Sequence, residues 1–287
     1  MYPDGYLESG PGYKIDYTNG NKMHYQEIQP STFLRNYISC YWKFSTTILP
    51  ENRDSMQHHV LPDGCVSVCY LFQESTGVFG PLLMGPRTTI FQTQIFPNSM
   101  VTGIRFMPGA FKALFDLDLI PLRNQVVFGN DLVLEFATEK IRKALDLQFQ
   151  DFSIFDTFLE NLIKSRATEI SAQVQQAVRL ILQNKGNVKI EALAKAVHWS
   201  LRHFQRQFKF YTGLTPKEFV KNIRLRNSLI QILLEEEGLQ DTLFNAGYYD
   251  QSHFNRDFSM VAGLNPTNFL KYIKQIDHKG ISTHNQE

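Results

Sequence analysis

The sequence predicts an α+β chain in two parts: a small antiparallel β-barrel or sandwich with attached helices, followed by an all-α segment of two helix-turn-helix units joined by a long helix. Three observations carry that prediction. Short aromatic and β-branched runs, separated by Pro, Gly, Asn and Asp, fill the region from Met23 to Met107. From Ala110 onward the apolar residues recur at helical spacing. A nine-residue pattern also occurs twice: SLRHFQRQF from Ser200 and, fifty positions on, DQSHFNRDF from Asp250.

In chain order, residues 1–22 are rich in Gly, Tyr and polar side chains without a period, which predicts a flexible leader. Strands are expected at Met23–Ile28, Tyr37–Thr46, Gln57–Leu61, Cys65–Phe72, Thr88–Phe96 and Met100–Met107, with Pro30-Ser31 opening a short helix between the first two. Pro108-Gly109 ends the sheet, and helices are expected around Phe111–Phe115, Leu132–Leu145, Ile154–Lys164 and Ala172–Leu182. The polar stretch Ser165–Ser171 reads as a hinge. The expected division is therefore 23–166 for a β-rich sensor or dimerisation domain, 170–275 for the all-α domain and 276–287 for a flexible tail.

The repeat aligns His203 with His253, Phe204 with Phe254, Arg206 with Arg256 and Phe208 with Phe258, and it continues through Gly213-Leu214-Thr215-Pro216 into Gly263-Leu264-Asn265-Pro266. Phe219 and Phe269 close the copies. The two Phe of each copy stand at i and i+4, so they share one buried helical face. The opposite face presents Arg202, Gln205, Arg206 and Lys209 in the first copy, and Gln251, Ser252, Asn255 and Arg256 in the second. Such donors suit base edges and phosphates in double-stranded DNA. Upstream, Leu193, Ala194 and Val197 mark a short apolar helix, and Ser200 reads as the N-cap of the next. Thr215-Pro216 with Glu218 forms a capping box that starts a long helix ending near Leu234.

Charge supports the same assignment. The net charge is only +1, yet residues 1–170 hold 14 Lys/Arg against 18 Asp/Glu, while 171–287 hold 15 against 10. Eight bases (Lys195, Arg202, Arg206, Lys209, Lys217, Lys221, Arg224, Arg226) and one acid, Glu218, lie between Ala192 and Ile230. That excess suits a surface tracking phosphates.

These features resemble the DNA-binding domain of the AraC/XylS transcription regulators over about Val174 to Ile273. The most specific part is AGYYDQSHFNRDF from Ala246, with LAKAVHWSLRHFQRQFKFYTGLTPKEF from Leu193 nearly as close. The resemblance implies base reading by Arg202, Gln205 and Arg206, and by Gln251, Ser252, Asn255 and Arg256; His253 and Lys209 complete the expected DNA-contacting set. One departure is Thr242-Leu243 where the family usually carries Ile-Ala, which implies a shifted second recognition helix. LPDGCVSVCYLF from Leu61, MGPRTT from Met84 and GIRFMPGAFKALF from Gly103 resemble the amino-terminal domain of a subset of the family, implying a sensor or dimerisation role. RNA polymerase and a second copy of the chain are the protein partners this implies.

An effector pocket is expected from Trp42, Phe44, Tyr70, Phe72, Phe91, Phe106 and Arg105, an aromatic set with one orienting charge. The competing reading is that the aromatics fill the core and Arg105 faces water. His58-His59 with Cys65 and Cys69 carry metal-ligand chemistry, but residues four apart on a strand stand about 13 Å apart and cannot share a tetrahedral ion. No metal and no cofactor are therefore expected. The three cysteines read as reduced, buried thiols. No GxSxG, HExxH, phosphate loop or dinucleotide fingerprint occurs, and Asp116 and Asp118 read as caps, so no catalytic residues and no enzyme are expected. A barrel enzyme with a nucleic-acid-anchoring tail and a protein-interaction module are the alternatives. Lacking a membrane-length apolar run and a signal-peptide pattern, the chain is expected in the bacterial cytoplasm.

Overall fold

The computed structural model describes residues 23–49, 51, 53–73, 77–128, 136, 152–166, 169–234, 243–244, 247–274 and 276. The expected leader, the helix at Leu132–Leu145 and Thr242 lie outside them, apart from Phe136.

Among the described residues eight strands form: β1 Met23–Ile28, β2 Ile38–Thr46, β3 Met56–Val60, β4 Val66–Gln73, β5 Gly77–Met84, β6 Phe91–Ile95, β7 Ser99–Phe106 and β8 Val126–Phe128. Six make one antiparallel sheet in the order β1-β2-β7-β4-β5-β8, and β3 pairs with β6 as a separate ribbon. The large sheet does not close into a barrel among the described residues: β1 and β8 are opposite edges. Strand alternation sends Tyr41, Val68, Tyr70, Leu83, Ile104 and Phe106 to one face and Cys40, Trp42, Phe44, Cys69 and Val101 to the other. The first face is covered by α1 (Ala110–Phe115), Phe136 and α2 (Ser153–Arg166), which supplies Phe155, Leu159 and Ile163. The ribbon covers the second face with Met56, Val60 and Ile95. Between the first two strands, Thr32–Asn36 is a single short 3-10 helix after Ser31.

The carboxy-terminal part consists of α3 Ala172–Gln183, α4 Ile190–Ala196, α5 Leu201–Thr212, α6 Pro216–Leu234, α7 Gln251–Ala262 and α8 Pro266–Ile273. The apolar faces of α3, α4 and α5 close one core with Phe219, Val220 and Ile223 of α6. A second core joins Leu225 and Leu229 of α6 to Leu243, Tyr248, Phe254, Phe258 and Phe269. α6 thus serves both units, and Asn222, Arg226 and Ser228 on it are buried too. No helix among the described residues is long and apolar enough to cross a membrane.

The two parts pack against each other. Leu61 and Ile90, from loops of the β-rich part, belong to the second helical core, and Ile90 N donates to Val261 O at 2.9 Å. Arg123 Nη2 bonds Glu218 Oε1 at 2.6 Å, and Asn222 Nδ2 bonds Arg87 O at 2.7 Å. Gly64 has φ of +74°, and a Cβ there would fall 2.5 Å from the Phe219 ring, so glycine is needed for both backbone and contact. The residues after Gln275 depart from the tail expected of them at one point: Ile276 is buried among Met23, Trp42 and Phe44, because an apolar side chain beside the exposed end of the sheet face finds cover there.

Candidate nucleic-acid interface

The helices α5 and α7 are built the same way. Ser200 Oγ accepts from His203 N at 3.3 Å, and Asp250 Oδ1 accepts from His253 N at 2.7 Å, so each N-cap satisfies one of the helix's open donors. Each helix ends on a glycine in the left-handed region, Gly213 at φ +76° and Gly263 at φ +62°. Inside each unit three aromatic rings pack in series, edge-on or tilted: Phe204, Phe208 and Phe219 with centroids 5.7 and 5.6 Å apart, and Phe254, Phe258 and Phe269 at 6.0 and 5.3 Å. The capping box forms as expected, with Thr215 N donating to Glu218 Oε2 at 2.9 Å and Glu218 N to Thr215 Oγ1 at 3.3 Å.

Burial runs in parallel over the first eight positions of both helices. Arg202, Gln205 and Arg206 are exposed, as are Ser252, Asn255 and Arg256, with Gln251 at the head of α7. Lys209 is half-buried. His203 and His253 are also half-buried, each edge-on to a ring of the preceding turn, Trp199 at 4.9 Å and Tyr248 at 5.2 Å. His253 is thus less open than the donors around it. Arg206 Nη2 meets His203 Nδ1 at 3.1 Å, which steadies the guanidinium at the edge of the open face.

The basic window is smaller on the surface than in the sequence. Arg226 is 2% exposed and points to Asp63, Arg224 donates to Gly186 O at 3.1 Å, and Lys221 Nζ pairs with Asp257 Oδ1 at 3.0 Å. Lys195, Arg202, Arg206 and Lys217 stand exposed. Asp257 neutralises a base of α6 while lying on α7 itself, so the second helix gains little from the window.

The residues expected to line one effector pocket are divided by the sheet. Tyr70 and Phe106 are buried on the helix-covered face with Phe72 packed beside them, and the Tyr70 hydroxyl donates to Phe136 O at 2.9 Å. Trp42 and Phe44 lie on the ribbon-covered face with Phe91 against them. The correction follows from the period of two along β-strands, which puts Trp42 and Tyr70 on opposite sides. Arg105 neither faces water nor stands as a lone orienting charge. It is 3% exposed, its Nη1 is 2.6 Å from Glu27 Oε1, and its Nε is 2.8 Å from Asp63 Oδ2, close but not aligned as a hydrogen bond. Arg105 and Trp42 do line a narrow cavity of about 20 Å³ together with Asp63, Arg87, Val60, Leu61 and Met84. Asp63, Arg87 and Arg226 were missed as a group because they come from three distant loops and helices with no common spacing.

His58 and His59 pack against Tyr272. The Tyr272 hydroxyl meets His58 Nδ1, and His59 lies edge-on to Tyr272 with centroids 5.2 Å apart. Burial pushes the His58 pKa well below its usual 6.5. Cys40, Cys65 and Cys69 are buried and unbridged. Asp118 Oδ1 accepts from Ile120 N at 3.0 Å, and Asp116 is fully exposed beside Lys112, whose ammonium holds its carboxyl below the usual range.

Residues 26–128 match a family described as a domain of unknown function (DUF6597), and residues 193–272 match one described as a helix-turn-helix domain. No curated protein matches the chain. Among solved structures, the C-terminal domain of AraT, a response regulator from Geobacillus stearothermophilus, is 19% identical, covering 40% of this chain and 94% of that one with a TM-score of 0.34. A probable AraC family transcriptional regulator from Rhodopseudomonas palustris is 24% identical, covering 36% and 98% at 0.32. ToxT from Vibrio cholerae bound to an unsaturated fatty acid is 13% identical, covering 90% and 97% at 0.39. At such identities the fatty acid is a property of that protein alone.

Proposed function

We propose that residues 193–272, which match a helix-turn-helix family, form an AraC-type domain of a DNA-binding transcription regulator, with α5 and α7 as its two recognition helices entering successive major-groove turns of one operator. The supporting observation is the recurrence of one burial pattern in both helices, with hydrogen-bond donors on each open face: Arg202, Gln205 and Arg206, then Gln251, Ser252, Asn255 and Arg256. Arginine fits guanine bidentately, while Gln and Asn fit adenine. Lys209 serves phosphate, and His253 aligns the start of α7.

The β-rich part, with its boundary near residues 167–169, senses a small molecule or brings two copies together, since paired half-sites are a common route to specificity. RNA polymerase is then the protein partner at the promoter, and the cytoplasm the compartment. Selecting bound sequences from a random DNA pool tests this reading. Two enriched blocks about 10 bp apart are expected for one chain, with a repeat of the pair if copies associate. Enrichment of no sequence, or of one short block insensitive to changes in α7, contradicts it.

A further inference from the structure

One short loop of the β-rich part, residues 85–90 after β5, touches α5, α6 and α7 in turn. Pro86 sits so close to the end of α5 that a Cβ on Gly213 would fall 2.8 Å from its Cγ. The next residue holds α6, because Arg87 O accepts from Asn222 Nδ2 at 2.7 Å and Asn222 is buried. Ile90 then reaches the end of α7: its N donates to Val261 O at 2.9 Å, and its side chain enters the second helical core. From Pro86 to Ile90 the backbone spans at most about 14 Å, so the carboxy-terminal ends of α5 and α7 are held to one short piece of chain. The loop is itself held from behind. Asn124 N donates to Pro86 O at 3.0 Å, Thr88 N to Asn124 Oδ1 at 2.8 Å, and Asn124 Nδ2 to Thr88 Oγ1 at 3.1 Å.

We propose that residues 85–90 are a brace that sets the separation and angle of α5 and α7, and thereby the spacing between the two base blocks that the chain accepts. α6 gives each unit one wall of its core, Val220 and Ile223 in the first and Leu225 and Leu229 in the second. The loop adds a second link between them. Any rotation of one unit about α6 relative to the other must strip Pro86 from Gly213, or Ile90 from Val261 and the second core, and the Asn124 bonds oppose the loop's stretching to follow. On DNA one base pair moves a block by about 3.4 Å and turns it by roughly a tenth of a turn. A fixed pair of helices is therefore selective for spacing where a hinged pair is not. The β-rich part then contributes to specificity without touching DNA, and its positioning residues are Pro86, Ile90 and Asn124. The inference rests on the reading of α5 and α7 as recognition helices for its consequence on DNA, while the rigidity itself is measured without DNA.

The first measurement is the distance distribution, by pulsed electron spin resonance without DNA, between nitroxides on Gln205→Cys and Ser259→Cys of the full chain, both exposed positions, with the three native cysteines buried. A single narrow distance is expected. Asn124→Gly keeps the left-handed backbone at φ +58° and deletes the side-chain bonds to Thr88 while leaving both helical cores intact, so it should broaden the distribution. Ile90→Ala should broaden it as well, and Arg53→Gln, at an exposed site, should leave it narrow. If Ile90→Ala fails to fold by circular dichroism, Asn124→Gly decides. The second measurement is binding to a selected operator with its own spacing and with one base pair inserted between the blocks. Insertion should weaken the wild-type chain about tenfold or more and the Asn124→Gly chain about threefold or less, because the loosened pair no longer has the preorganised geometry that the insertion offends. Mismatches within either block should keep their cost in both chains. A broad wild-type distribution, no broadening in Asn124→Gly, equal insertion penalties, or lost base preference within the blocks would each overturn the brace. Selection that enriches no paired blocks would contradict the recognition-helix reading and leave the distance result standing.

Discussion

The two helix-turn-helix units share a pattern and differ in what surrounds it. In the first, Phe204, Phe208 and Phe219 close a core supplied mostly by α3 to α6, and the open face is basic. In the second, Phe254, Phe258 and Phe269 need Leu61 and Ile90 from the β-rich part, Tyr272 leans on His58 and His59, and Asp257 takes up Lys221. Even the matched glycines diverge: a Cβ on Gly213 would meet Pro86 at 2.8 Å, while one on Gly263 would meet nothing within 4 Å. The two units keep the same cap, paired Phe and terminal glycine. Both touch the β-rich part, the first through Gly64 against Phe219 and Arg123 with Glu218, the second through Leu61 and Ile90, which enter its core.

Cutting the chain is the harshest way to break that comparison. A fragment beginning at Ile170 should fold its first unit, while its second loses Leu61 and Ile90, each worth about 1.5 to 3 kcal/mol when buried. Hydrogen exchange in α7 should therefore lose on the order of 3 to 6 kcal/mol of protection relative to the full chain, with α5 losing less. Equal protection in both helices would show that the second core stands alone.

Acid is the next lever. His58 stays neutral in the folded chain because burial depresses its pKa, so below 6.5 the unfolded chain takes up a proton that the folded chain does not. Stability should be full above 6.5 and fall by up to about 1.4 kcal/mol per pH unit below it. His58→Phe should flatten that slope in urea titrations at pH 5 to 7; an unchanged slope would assign it to other groups.

The caps come third. Asp250→Ala and Ser200→Ala should each cost about 0.5 to 2 kcal/mol, the former more, given its shorter bond of 2.7 against 3.3 Å. Thermal melts of the two variants check the order. The smallest effect is expected from Asp257→Asn, which releases Lys221: DNA binding should tighten slightly and the salt slope steepen by about one unit. A slope unchanged in a salt titration would show that Lys221 cannot reach phosphate.

Much of this was legible locally. Ser200 and the Thr215–Glu218 box act within one helical turn, so their roles follow from neighbouring residues. The strand β5 was hidden because Gly80-Pro81 interrupts it; the register shifts there, between Cys69 and Leu71 on its partner, so proline's missing donor is tolerated. The three residues of β8 are too few to show a period. The pocket set failed as a group because aromatic content does not reveal on which face of the sheet a ring lies; that depends on register, and the shift between Ile38 and Cys40 reverses it within β2. The junction of Asp63, Arg87, Arg105 and Arg226 was illegible because its members are distant in sequence and meet only after both parts have packed.

The central claim is that both recognition helices read DNA and the first contributes more. Titrating Arg206→Ala and Arg256→Ala against a selected operator and a scrambled one tests it directly. Arg206→Ala should cost about 1 to 3 kcal/mol on the operator and relax preference at one base position, and Arg256→Ala should cost measurably less while relaxing a position in the other block. Equal losses would contradict the ranking, and no loss of operator preference from Arg256→Ala would contradict reading by the second helix.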